Sequence, residues 1–340
     1  MKSVMLHDFS RIPKADIPRS VFNRSHGYKT TMDAGYLVPI LCEEALPGDT
    51  FNMNATIFAR LATPIFPIMD NMVCDVHFFA VPYRLIWDNF QRFCGEQRNP
   101  GDSTDFLIPQ IVAPADGGWP VGSLQDYMGL PTGIPSLSSS ALWTRAYNLC
   151  FREWYRDQNL INSPVVDTDD GPDSATDYVL RRRGKRHDYF TSCLPWPQKG
   201  PAVELPLGTE ANVFMTGVAG TRLGIKDPTI GTDTYQIDVG NYGYARLDGI
   251  IGGSQLKADL SGATAATINA LRQAFQLQRL YERDARGGSR YTELVRSHFG
   301  VISPDARLQR PEYLGGTSAP VTLTAVAQTT PTVISGPGLS

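Results

Sequence analysis

The stretch "RRRGKRHDYFTSCLPWPQKG", residues 181–200, packs more chemistry into twenty positions than any other part of the chain. Three functions compete for it. As a nucleophile site, Cys193 would need His187 within hydrogen-bond reach and a third group to orient the imidazole. The "PWP" that follows the cysteine supplies neither a helix N-terminus nor a glycine elbow, so a catalytic thiol is disfavoured. As a metal site, one histidine and one cysteine leave two ligands missing, and no spaced partner pair occurs elsewhere. As a polyanion contact the stretch is complete. Arg181, Arg182, Arg183, Lys185 and Arg186 can each neutralise a phosphate, and Tyr189, Phe190 and Trp196 can stack on unpaired bases. The same cations suit a neighbouring subunit, or the acidic run "VVDTDDGPDSATD" just upstream. Nucleic-acid contact and subunit contact stand level at this point.

A second charged constellation is "RLYERDARGGSRYTELVRSHFG". Glu282, Asp284 and Glu293 resemble paired carboxylates, but they alternate with Arg279, Arg283, Arg286, Arg290 and Arg296. That alternation is typical of an ion-pair network on helix faces. Arg283, Asp284, Arg286, Arg290 and Glu293 are therefore candidates for a subunit interface. His77 sits in an alternating segment as a satisfied internal residue, and His298 precedes a cap glycine, where it can meet a helix C-terminus. The common phosphate-loop, hydrolase and zinc-protease signatures do not occur. No enzyme, cofactor or metal is implied.

The elements that must position these groups follow from periodicity. "FNMNATIFARLATPIF" and "MVCDVHFFAVP" alternate with period two and read as strands, the second placing Val73, Asp75, His77 and Phe79 on one face. "RLIWDNFQRF" reads as a short helix. "SSSALWTRAYNLCFREWYRDQN" is a longer one, with Leu142, Ala146, Leu149, Cys150 and Trp154 at helical spacing and the serine run as its N-cap. "TAATINALRQAFQLQRLYERDARGG" gives another, ended by Gly287 and Gly288, and "SRYTELVRSHFG" a last one closed by Gly300. "PVTLTAVAQTTPTVIS" alternates like a returning strand. Strands thus come first and last, with long helix-bearing connections between them. This argues against a doubly wound or TIM-type sheet and suits an antiparallel barrel or jelly roll with overgrown loops.

Composition sets the outer limits. At 340 residues the chain is long enough for one large domain or two modest ones, and its net charge of -3 confines any nucleic-acid affinity to local patches. Gly 31 and Pro 25 favour short elements and long connections. The 5 cysteines, Cys42, Cys74, Cys94, Cys150 and Cys193, are odd in number and widely spaced, so they read as small buried hydrophobes in a reducing compartment. The N-terminus lacks an apolar signal core and no run approaches a membrane span, which points to a soluble cytoplasmic protein.

Four stretches, the last two of them long, resemble one family. "KTTMDAGYLVPILCEEALPGDTF", "RDQNL", "RGKRHDYFTSCLPWPQKGP" and "ALRQAFQLQRLYERDARGGSRYTELVRSHFGVISPDARLQRPEYLGG" are similar to the major capsid proteins of microviruses, in particular the gokushovirus branch. The resemblance covers nearly everything from Phe22 onward. It implies a mainly β fold with helical insertions: a viral jelly-roll, an antiparallel β-barrel with very long loops. It also implies a T=1 icosahedral shell of sixty copies around circular single-stranded DNA, in a virion assembled in the host bacterial cytoplasm. Partners would be copies of the chain, the packaged DNA, phage scaffolding, pilot and small DNA-binding proteins, and a host surface receptor.

On that resemblance, residues 1–50 are an extended arm, and 51–207 hold the first barrel strands with helical insertions. Residues 208–262 are a surface insertion, a candidate threefold protrusion for host contact. Residues 263–340 carry helices and a return to the barrel. Family members continue further after the "PEYLGG" region, so the barrel is expected to be incomplete and the chain truncated. The rival from another class is a jelly-roll carbohydrate-binding protein, because a fold alone does not fix function.

Overall fold

The structure is a computed structural model. It describes residues 18–61, 66, 68–184, 186–190, 192–204, 268–304 and 306–323, plus the backbone of five strands between 212 and 259. The arm segment from 18 to 50 contains one bridge, Tyr36 to Arg182. β1 (Arg60–Leu61) and β2 (Val73–Ala80) follow. Next come α1 (Phe90–Phe93), β3 (Gln110–Val112), α2 (Leu124–Tyr127), β4 (Ser138–Ser140) and α3 (Leu142–Cys150), which runs on as a π-helical turn over Phe151–Tyr155. β5 (Asn212–Thr216), β6 (Gly224–Lys226), β7 (Thr234–Asp238), β8 (Arg246–Asp248) and β9 (Gln255–Asp259) lie in the proposed insertion. α4 (Ile268–Gly287), α5 (Tyr291–Phe299), α6 (Ala306–Gln309), β10 (Glu312–Pro320) and β11 (Thr322–Leu323) complete the order.

The longest ladder joins the two halves of the chain. β2 and β10 pair antiparallel with Asp75 opposite Ser318 and His77 opposite Gly316, and the register shifts between Tyr313 and Gly315. Gly316 is required there, because a Cβ would stand 2.4 Å from the Val76 carbonyl oxygen. β1 and β11 pair in parallel, β3 and β4 antiparallel. In the insertion, antiparallel β5 and β9 bring the segment's ends together, and β6, β7 and β8 form a three-stranded sheet.

A closed barrel is not among these sheets. Closure needs two neighbours for every strand, and β2 and β10 have one each among the described residues. Of the expected strand over 51–66, residues 51–59 are not strand and Arg60–Leu61 form β1, since alternation without a ladder partner leaves backbone groups to water. The serine run is not a cap but strand β4, pairing with β3, and the helix starts from Ala141 without a side-chain cap. The last alternating segment is strand at Pro320, the end of β10, and at Thr322–Leu323, and residues 324–335 lie outside the described residues.

Two small cores flank α3. One gathers Ile111, Trp119, Leu124, Ala141 and Tyr178; the other gathers Ile86, Trp87, Leu142 and Leu149. Leu142 and Leu149 share a stripe two turns apart, as the periodicity requires. On the same helix, Arg145 and Asn148 are buried. Arg145 Nε donates to Asp173 at 2.7 Å, and its Nη1 donates to the carbonyls of Ile86 at 2.9 Å and Asp169 at 2.8 Å. Asn148 Nδ2 donates to Val165 O and Asp177 O. Trp87 Nε1 donates to Asp170, and the Tyr178 hydroxyl to Asp167. An irregular acidic loop is thereby held by buried donors, and it delivers the chain to residue 181 at a fixed place.

Candidate subunit and nucleic-acid interface

The basic run leaves that loop at Arg181, whose backbone N–H donates to the Tyr147 hydroxyl at 2.9 Å while its Nη2 donates to Asp177 O at 2.8 Å. Residues 181–183 then zip against the arm. Leu37 N donates to Arg181 O, and Arg183 N donates to Gly35 O. Arg182 lies 4.6 Å from the centre of the Tyr36 ring and donates to its hydroxyl at 3.1 Å.

The next two arginines converge on one carboxylate. Arg183 Nη1 donates to Asp75 Oδ2 at 2.7 Å, and Arg186 Nε donates to the same oxygen at 3.2 Å. Arg186 Nη2 also meets Asp75 Oδ1, and Ser318 of β10 donates to that oxygen at 2.8 Å. Asp75 has 8% of its side chain exposed. Burial alone would raise its pKa. The hydrogen bonds from Arg186, Ser318 and Arg183 outweigh that and hold it well below the usual carboxylate range.

His77 and Phe79, on the same face of β2, pack with Trp154, Tyr155 and Tyr313. His77 Nδ1 is 2.6 Å from the Tyr155 hydroxyl. Burial first, and the Arg183 charge second, lower the His77 pKa and favour the neutral ring.

The described arginines of the run are thus tethered to the arm, to the upstream loop's backbone and to β2. The upstream carboxylates serve Arg145, Trp87 and Tyr178 instead. What the run presents outward is aromatic. Tyr189 is 91% exposed, Phe190 86% and Trp196 41%, and Arg182 and Arg186 are exposed as well. Lys185 lies outside the described residues. Cys94 and Cys193 are exposed and all 5 cysteines are free, which corrects the reading of buried thiols. The half-buried Cys42 and Cys150 come nearer to it, with burial pushing their thiols up to about 11 and about 12.

The second constellation is a docking corner. Arg290 Nη2 donates to the carbonyls of Arg152 and Arg156 at the end of the α3 segment, at 3.1 and 3.0 Å. Its Nη1 donates to Glu293 at 2.9 Å, and Glu293 also accepts the Arg290 N–H that opens α5. Arg286 pairs with Glu282 one turn earlier. His298 turns to Asp284 on α4, at 2.5 Å, rather than to its own helix end. Arg283 is exposed. Gly300 closes α5 at φ 68° in the left-handed region. No group of three or more His, Cys, Asp or Glu side chains that could hold a metal occurs among the described residues.

Residues 10–338 match the family model described as "Capsid protein (F protein)". The chain belongs to that family. Within it, the chain is 47% identical over 350 residues to capsid protein VP1 of Bdellovibrio phage phiMH2K, covering 97% of the chain and 64% of that relative. It is 38% identical over 402 residues to capsid protein VP1 of Chlamydia phage 1, covering 98% and 67% respectively. Against capsid protein VP1 of Spiroplasma virus 4 it is 36% identical over 356 residues, covering 96% and 64%. The chain therefore spans about two thirds of these relatives' length. The family is the one the long motifs resembled.

Neither Asp75 nor Arg145 stood out in the sequence as a site residue. Asp75 was legible only as a charged residue on the inward face of an alternating strand, and Arg145 only as a charge between apolar positions of a helix. Both are the signals of a buried ion pair.

Proposed function

We propose that the chain is a major capsid protein: a structural subunit that associates with copies of itself into an icosahedral T=1 shell around circular single-stranded DNA, without catalysis. The match of residues 10–338 to a capsid family carries this reading. Surface chemistry supports it. Val21, Leu46, Phe58, Met69, Leu107, Phe299 and Ile302 are exposed, several of them almost completely. An isolated globule rarely leaves so many large apolar groups in water, whereas a shell subunit covers them in repeated interfaces.

The finer assignments belong to the same proposal. A jelly-roll barrel forms the shell wall. Arg181, Arg182, Arg183, Lys185, Arg186, Tyr189 and Trp196 contact DNA or a neighbouring subunit. Arg283, Asp284, Arg286, Arg290 and Glu293 contribute to subunit contacts. The 208–262 insertion builds the outward protrusion that meets a host receptor. Scaffolding, pilot and small DNA-binding proteins are the accessory partners, and the virion is assembled in the host bacterial cytoplasm.

Electron microscopy of the expressed protein, with ultraviolet absorbance for co-purified nucleic acid, tests the core of this. Closed particles carrying nucleic acid are expected. A species that stays monomeric under every assembly condition overturns the proposal.

A further inference from the structure

The end of the α3 segment, the start of α5 and residues 309–310 surround an open cavity of about 330 Å³. Four guanidinium groups line it, those of Arg152, Arg156, Arg290 and Arg310, and Glu153 is the lining carboxylate among the described residues. Acids temper the charge without cancelling it, and Glu153 in the lining takes Arg152 Nε at 3.0 Å. Glu293 takes Arg290 Nη1, and Asp157 acts on Arg156 from the next position in the chain. The donors are not used up. Arg156 and Arg290 each bury an Nε–H that has no acceptor among the described residues. A buried donor without an acceptor is a standing cost.

Burial, reinforced by the charge of Arg290, lowers the pKa of Arg156 below the usual guanidinium value. The Arg310 guanidinium carbon lies over the Trp154 ring, 4.5 Å from its centre, which holds that cation at the cavity. At the rim, Lys199 reaches Ser289, and Tyr291 leaves 70% of its surface exposed.

We infer that this cavity is a phosphodiester-binding site for single-stranded nucleic acid, with Arg152, Arg156 and Arg290 around the phosphate and Tyr291 offering its ring to an adjacent base. It rests on the capsid reading only for the source of that nucleic acid. A phosphate suits the site better than a carboxylate. Four arginines line one cavity, where a lone carboxylate would pair with one of them. An open mouth beside an exposed aromatic lets a strand pass with a base stacked.

The test is fluorescence anisotropy of a labelled oligothymidylate with the full chain across a salt series. Arg152→Gln and Arg156→Gln should each lower affinity about 5- to 10-fold at about 0.1 M salt and flatten the log–log salt slope by about one contact. Arg152→Lys should keep the slope. Tyr291→Ala should weaken binding about 5-fold or more and leave the slope alone, because stacking releases no counterions. Inorganic phosphate should compete weakly, as a ligand lacking the base.

Variants that melt like the parent and bind with unchanged affinity and slope overturn the inference. So does a loss of assembly with oligonucleotide binding intact, which assigns the cavity to a neighbour's carboxylate. If a glutamine variant fails to fold, arginine modification of the unaltered protein decides. The oligonucleotide should protect Arg152, and equal modification with and without it overturns the site. Shell formation is scored separately. Shells with unaltered variant binding remove this site and leave the capsid reading standing, while a permanent monomer that binds through these arginines does the reverse.

Discussion

Arg183 and Asp75 are separated by 108 positions in the chain and meet at 2.7 Å. Arg186 and Ser318 close on the same carboxylate, so one side chain of β2 joins the basic run to the β2–β10 ladder. Asp75→Asn keeps the shape and removes the charge that both arginines answer. Because Arg186 is more than half exposed, the loss is expected to be moderate, about 1–3 kcal/mol in urea unfolding. A cycle with Arg186→Gln should give a coupling of about 0.5–3 kcal/mol. Additive effects would show that the pair does not hold the loop.

Two groups on this face give stability a defined pH dependence. The folded-state pKa of Asp75 is depressed, so the stability it carries is complete above its ordinary value of 3.8 and is lost as pH falls below that. The folded-state pKa of His77 is also depressed, here below its ordinary 6.5. The unfolded chain then takes the proton first, and stability declines as pH drops below 6.5 until the folded ring titrates too. Melting temperature followed from pH 8 to pH 3 should show both limbs. His77→Gln should flatten the upper one and Asp75→Asn the lower one. A profile unchanged by either substitution would remove these groups from the linkage.

Local pattern and long-range pairing were not equally legible in the sequence. α4, α5 and β2 were readable because each carries its own signal: apolar spacing ended by Gly288 or Gly300, and strict alternation from Val73. β10 was not, since "EYLGGTSAP" has glycines where a strand normally has packing side chains; its position comes from the ladder with β2. The serine run was misread for a similar reason. Serine suits a cap and tolerates a strand, and the partner β3 decided between them. For the site, the sequence showed that residues 181–186 are cationic but not where their partners lie. Asp75 is a hundred residues upstream, and no local rule pairs it with Arg183.

Arg145 is the sharpest case of that long-range dependence. Its guanidinium and the Asp173 carboxylate are both fully buried, and the same guanidinium reaches two backbone carbonyls. Arg145→Met leaves Asp173 charged and unpaired, and Asp173→Asn leaves a buried cation whose remaining carboxylate is the exposed Asp169 at 3.3 Å. Each should cost about 3–5 kcal/mol, a large part of the stability of an ordinary domain. The double variant Arg145→Met with Asp173→Leu should recover part of the loss, because no charge is then stranded. Thermal melting of the three variants checks this. Equal destabilisation in single and double variants would show that packing, and not the stranded charge, sets the cost.

Gly316 sits opposite His77 in the β2–β10 ladder. An added Cβ would meet the Val76 carbonyl oxygen at 2.4 Å, the Tyr313 hydroxyl at 2.7 Å and the His77 ring at 2.9 Å. A side chain could turn away, but the carbonyl belongs to the neighbouring strand, so β10 must move off β2. Gly316→Ala is therefore expected to cost about 1–3 kcal/mol, against under about 0.5 kcal/mol for Thr317→Ala at the exposed next position. Because Asp75 takes Ser318 from the same strand, the substitution should also loosen the basic run. Amide exchange should quicken in β2, in β10 and around residues 181–186 together. Faster exchange confined to β10 would show that the ladder and the loop are not mechanically joined.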